Sequence, residues 1–324
     1  MAVLGWHSRA ARYYQAAMNL SNKLNDQWGA AHAMNHSSLG SLGASRYEDT
    51  IVKATPGTIA FSILGDLLET HFAHFSIGMS NYGLGQLDKA LEKSKWIFES
   101  CVRHGDNVFG PMAFCLWARA SRGDFPFDEL VGCLGVLPGN NLASICVSMA
   151  EGYWHTHHGR TQEAVDAFEQ AWQISWSNSY LVTYNSWVLS DYAAALRLHA
   201  QTVKQVDPEK ESSIPRRWHK IARWANYVSW VLPPERPRAL RELALAHMAQ
   251  GHLKKAWKLA NKSCLKAQET KSAYEYAKSL LVLGETAKKL GRPEADDQIR
   301  NAQRDIDRLK KAVDDLIKCY QPMT

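Results

Sequence analysis

Three histidines crowd the segment Gly152-Tyr-Trp-His-Thr-His-His-Gly-Arg160, at positions 155, 157 and 158. Imidazoles at such density are the ligands zinc and similar ions prefer. A helix through the segment places His155 and His158 on one face and turns His157 about 200° away from His155. An intact helix therefore cannot direct all three at one ion. A pair could be completed only from a neighbouring element, and the plainer reading is one ring packed between helices and one at a helix end. Cys101-x-x-His104 allows the same two readings, and packing is again the plainer one. No metal and no cofactor is expected.

Other chemistry-bearing patterns are sparse. The chain has no GxxxxGK[ST] phosphate loop, no HExxH, no GxSxG elbow and no EF-hand loop. Gly83-Leu-Gly-Gln86 carries two glycines but follows no strand, so it is a poor phosphate cradle. The six cysteines are scattered without a CxxC pair, which argues against a zinc ribbon or a disulfide framework. Lys254, Lys258, Lys262 and Lys266 fall four apart, a stripe suited to a solvated face or an acidic partner. In Pro215-Arg-Arg-Trp-His-Lys-Ile-Ala-Arg-Trp224, basic residues alternate with tryptophans. Single-stranded nucleic acid can stack on such a run. An amphipathic helix with its tryptophans turned inward gives the same pattern, and nucleic acid is not the expected partner. No catalysis is expected from the chain.

The elements that position these residues are helical nearly throughout. Four stretches share one spacing. Gly152 and Gly159 are followed by Ala164, Phe168 and Ala171; Gly78 and Gly85 by Ala90, Ser94 and Ile97. Ala244 and Gly251 are followed by Ala256, Ala260 and Ser263. Gly284 and Gly291 precede Ala295, Ile299 and Ala302, with the turn one residue shorter. A small residue in each helix lets two antiparallel helices approach, and the second glycine ends the first helix. One such pair cannot bury its apolar faces alone, so units are expected to stack.

The spacing resembles the tetratricopeptide repeat, a helix–turn–helix unit of about 34 residues, cleanly over about half the chain. The resemblance implies an all-α fold: a right-handed superhelical solenoid of antiparallel helix pairs. Phrases such as Arg236-Pro-Arg-Ala-Leu-Arg-Glu-Leu-Ala-Leu-Ala-His are similar to the repeat regions that follow a nucleotide-binding ATPase module in large bacterial signalling proteins. Such modules are coupled to kinases, cyclases or transcription regulators.

The repeats divide the chain into residues 1–205, with some degenerate units, a loop, helix and Pro-rich break over 206–236, and 237–324. Residues 179–205 read as one long helix, 206–216 as a polar loop, and Pro215 and Pro237 as helix openers. The first residues match a second helix, so the chain is expected to start in mid-repeat, as if cut from something larger. After Pro293, apolar residues at 299, 302, 306, 309, 313, 316 and 320 form a heptad seam. It suits capping of the last repeat, and it also suits a homodimer through 294–320.

By resemblance, the first helices of the pairs line a concave surface. That places Phe75, Met79, Tyr82, Met149, Tyr153 and His157 on it, followed by Arg238, Arg241, Lys278 and Lys288. A groove aromatic at one end and basic at the other suits a protein or peptide with hydrophobic anchors followed by acids. Charge agrees: residues 206–324 hold 24 Lys and Arg against 15 Asp and Glu. The functional expectation is a protein–protein scaffold or regulatory module. The alternative is the ligand-sensing repeat region of an ATPase-coupled signalling protein. With no long apolar run and no signal-peptide pattern, a cytoplasmic location and no membrane partner are expected.

Overall fold

Local caps define where many helices start. Asp26, Asp66 and Asn140 each accept a hydrogen bond from the backbone N–H three residues on, at Gly29, Glu69 and Ala143. Those bonds satisfy donors that a first helical turn leaves open. A computed structural model describes residues 7–134, 139–178, 187–206 and 213–318. They form α1 (His7–Lys23), α2 (Gln27–Gly43), α3 (Tyr47–Leu64), α4 (Leu67–Leu84), α5 (Leu87–His104), α6 (Phe109–Ala120), α7 (Phe127–Val131), α8 (Asn141–His157), α9 (Thr161–Ser177), α10 (Val188–Val206), α11 (Ile214–Val228), α12 (Arg236–Ala249), α13 (Leu253–Glu269), α14 (Ala273–Lys289) and α15 (Ala295–Lys318). No strand occurs among the described residues.

Sequence neighbours pack as antiparallel pairs, as the repeat spacing predicts. A Cβ on Gly152 would lie 2.7 Å from the Phe168 ring, so only glycine lets α8 and α9 approach this closely. Gly159 then turns the chain with φ +70°. The unit over 111–139 departs from the pattern, because α7 is a single short turn of helix.

Every even-numbered helix from α2 to α14 also touches the next even-numbered helix. These helices form a continuous inner row, with the odd-numbered helices outside. One apolar cluster runs from Leu42 through Phe98, Phe114 and Phe168 to Tyr192, and a smaller one joins Ala244, Ala260, Cys264, Val282 and Leu283.

Pro215 and Pro237 sit in the first turns of α11 and α12, as expected. The helix expected over 179–205 is present from Val188 onward; its part at 179–186, and the loop residues 207–212, lie outside the described residues. The heptad seam is spent within the chain. Ala302, Ile306 and Val313 are buried, and α15 lies against both α14 and α5. Arg122, just beyond α6, hydrogen-bonds Asp314 across the same junction. Ile299, Leu309 and Leu316 of the seam are half-buried, and Tyr320 lies outside the described residues; nothing among the described residues supports the homodimer through 294–320. Among the described residues no helix is long and apolar enough to cross a membrane.

Candidate functional site

Charge is carried into the interior by the inner row. Arg119 ends α6, Asp191 opens α10, Arg238 and Arg241 open α12, and Glu275 opens α14; all five are buried. Glu235, just before α12, is buried too. Isolated charges at such depth are costly, so they must be compensated. Arg238 donates to Asp191, which also accepts from the Tyr153 hydroxyl. Arg241 donates to Glu275, and Arg197 to Glu242 at 3.1 Å. Arg119 lies 3.7 Å from Glu235, and its guanidinium stacks on the Tyr82 and Trp187 rings at 4.4 and 3.5 Å.

These groups surround two adjoining cavities. The outer one, about 200 Å³, is lined by Tyr82, Arg119, Arg122, Tyr153, Asp191, Arg197, Arg238, Tyr274 and Lys278, with Phe168 at its side. The inner one, about 30 Å³, shares Tyr82, Arg119 and Arg238 and adds Met79, Glu235 and Glu275. The outer lining holds five cationic side chains and one carboxylate; the four arginines are each paired with an acid, Arg119 with Glu235, Arg122 with Asp314, Arg197 with Glu242 and Arg238 with Asp191. Among the described residues Lys278 makes no ion pair or hydrogen bond; its ammonium lies 5.0 Å from the Tyr274 ring. Arg119 Nε, Arg238 Nε, Glu235 Oε2 and Glu275 Oε1 are buried without a hydrogen-bond partner among the described residues.

Protonation follows from this crowding. Burial pushes the Asp191 carboxyl up to about 6, against the pull of Arg119 and Tyr153. Burial pushes Glu235 up to about 7, although Arg119 opposes it. Burial also lowers Lys278 to about 8, helped by Arg241. Glu275 is buried as well, but Arg241 and Lys278 outweigh that and hold it below the usual range.

Of the residues expected in the groove, Met79, Tyr82, Tyr153, Arg238 and Lys278 meet at these cavities. The others do not join them. Phe75 and Met149 are core residues, 2% and 1% exposed; the Phe75 ring packs on Phe109. The inner helices touch one another, so these positions face a neighbouring helix and not an open surface. Arg241 is spent on Glu275 behind the chamber wall. Lys288 is exposed and pairs with Asp296 at 3.0 Å. His157 is exposed, 3.9 Å from Asp124. Half of the residues expected along an aromatic-to-basic groove instead line a half-open chamber and the smaller cavity beside it. Arg119, Arg122, Asp191, Arg197, Glu235 and Glu275 were missed by the sequence reading. The available signal was a lone charge inside an apolar helix, as in Leu-Trp-Ala-Arg119-Ala and Val-Leu-Ser-Asp191-Tyr.

The remaining motifs are placed plainly. His155 lies 3.5 Å from Glu151 and His158 bonds the Trp154 carbonyl, so the three histidines diverge. The lysines at 254, 258, 262 and 266 are exposed on the outer face of α13. On α11, Trp218 is buried, but Trp224 reaches the surface beside Trp172 and Trp176. His104 bonds the Ser100 carbonyl, while Cys101 contacts His71 instead.

No protein-family model matches this chain, and no curated protein matches it. Among solved structures it is similar to BtubC (BKLC) from P. vanneervenii at 12% identity and a TM-score of 0.44, over 75% of this chain and 93% of that one.

Proposed function

We propose that this chain is a binding module of the tetratricopeptide kind, a right-handed superhelical solenoid whose inner helices receive an acidic group from a protein or peptide partner. One observation carries the reading: Tyr82, Tyr153, Arg238 and Lys278 converge from four helices on a cavity with five cationic side chains and a single carboxylate. A carboxylate or phosphate entering there meets the Lys278 ammonium and the tyrosine rings, without displacing an ion pair of Lys278. On this reading the chain binds and performs no catalysis, and it acts as a scaffold or regulator.

A second reading is favoured by the size of the chamber. About 200 Å³ suits a small anion as well as one acidic side chain. A ligand-sensing region of an ATPase-coupled signalling protein would use it so.

The test compares fluorescence polarisation of acidic, neutral and basic peptides on wild type and on Lys278→Glu. Acidic peptides are expected to bind selectively, with affinity falling roughly tenfold or more on charge reversal. Equal binding of all three sets, or no loss in Lys278→Glu, overturns the partner reading. Stabilisation by succinate or inorganic phosphate alone, lost in the same variant, selects the sensor.

A further inference from the structure

Among the described residues a three-ligand geometry lies away from the histidine-rich turn. It lies in His32-Ala-Met-Asn-His36 on α2, where two imidazoles four residues apart share a face. The first turn of α4 brings Glu69 against them. His36 Nε2 lies 3.1 Å and His32 Nε2 3.5 Å from the same oxygen, Glu69 Oε1. The three ligating atoms all fall within 4.8 Å of one another. A tetrahedral zinc ion with bonds of about 2.0–2.2 Å holds adjacent ligand atoms about 3.3–3.5 Å apart. The two separations to Glu69 Oε1, 3.1 and 3.5 Å, span that edge.

The surroundings fix each group. Trp28 stacks on His32 with centroids 4.7 Å apart, and its indole N–H donates to Asp66 at 2.9 Å. Asp66 also accepts from the Glu69 backbone N–H, which sets the start of α4. The His36 ring rests 4.7 Å from Phe72. Asn35 is fully buried and donates to Glu69 Oε2 at 3.0 Å, leaving Oε1 to face the imidazoles. Holding a ligand carboxylate by its other oxygen is how metal sites orient their donors. All three ligands are half-buried, so an ion can enter from solvent.

We propose that His32, His36 and Glu69 bind one divalent transition-metal ion, zinc by ligand preference, with a fourth position left for water or a donor from outside the chain. Two imidazoles and one carboxylate suit zinc and its first-row neighbours rather than calcium or magnesium. The ion joins α2 to α4 independently of the chamber described above, so the two readings fail separately.

The experiment titrates metal-free full-length protein with Zn²⁺ by calorimetry and with Co²⁺ by visible absorption. Wild type is expected to bind one equivalent, with a low-symmetry Co²⁺ spectrum and a Zn²⁺-dependent rise in Tm. Glu69→Gln and His36→Gln keep hydrogen-bonding shape but weaken binding by roughly a hundredfold, and Asn35→Ala by about tenfold. A His155→Gln/His157→Gln/His158→Gln variant binds as wild type. Absence of stoichiometric binding overturns the proposal. So does unchanged binding by a Glu69→Gln protein whose circular dichroism matches wild type.

Discussion

Two buried clusters among the described residues treat charge differently. Beside α4, α5 and α6, His71 is fully buried, with Nδ1 2.7 Å from Asp106 and Nε2 2.9 Å from the Ser100 hydroxyl. The other Asp106 oxygen accepts the Val108 and Phe109 backbone N–H groups at 2.9 and 3.0 Å. Every polar atom of that node is used. Burial works against the Asp106 charge, but His71 and the backbone donors outweigh it and hold the carboxyl below its ordinary value. Nor does Cys101 make it a catalytic triad, because its sulfur meets the same His71 nitrogen that bonds Asp106, and burial pushes the thiol far up. In the chamber, by contrast, Arg119, Glu235, Arg238 and Glu275 each keep a buried atom without a hydrogen-bond partner among the described residues, and two ion pairs stand at 3.7 Å. A saturated node holds helices together. An unsaturated one retains the capacity to bind.

The largest effect that tests this contrast is at Asp191. Asp191→Ala strips Arg238 and the Tyr153 hydroxyl of a shared acceptor inside the protein. Removing one partner of a buried pair costs about 3–5 kcal/mol, read as a shift in urea midpoint at pH 7. A cost under about 1 kcal/mol means that water already reaches the pair, and the chamber is then an open surface. Asp191→Asn, which keeps an acceptor, should cost less.

Asp191 also shows what sequence can and cannot disclose. Helical class, pairing and the turn at Gly159 were readable, because small-residue spacing and left-handed turns are local constraints. The Pro215 and Pro237 helix starts were readable for the same reason. That the inner helices touch closely enough to bury Phe75 and Met149 was not, since pair-to-pair rotation leaves no mark at fixed spacing. The return of α15 to α5, and with it the Arg122–Asp314 bond, joins residues about 190 positions apart. A heptad seam reads alike whether its partner is in the same chain or another one. Half the expected groove residues reach the chamber because first-helix positions do face inward. Their charged partners leave no repeat signature, because a lone charge in an apolar helix fits a solvated face and a buried pair alike.

A second test separates the two regions by pH. Burial raises Glu235 from 4.5 to about 7, so the folded chain holds this proton more tightly than the unfolded chain. Its favourable contribution is complete below pH 4.5 and is lost as pH rises through about 7. A shift of this size corresponds to about 3 kcal/mol across the window. Stability measured from pH 4 to 8 for wild type minus Glu235→Gln should show that fall. Asp106 runs the other way. Its pKa is lowered, so its contribution is present above the ordinary carboxylate value and is lost as pH drops below it. A flat Glu235 difference curve means that the carboxylate is solvated or fully paired, and the contrast with the His71 node disappears.

The smallest of the three effects is at the node itself. Asp106→Ala removes one side-chain acceptor from two backbone donors at the start of α6 and from His71. Loss of a helix cap with a buried hydrogen bond costs about 2 kcal/mol, read by thermal or urea unfolding. Anion or peptide binding in the chamber should be unchanged, because the node lies on the outer side of α4 toward α5 and shares no lining residue with the cavities. Should Asp106→Ala weaken peptide binding as much as Lys278→Glu does, the two regions act as one unit. The distinction between a node that holds the fold and a chamber that binds is then lost.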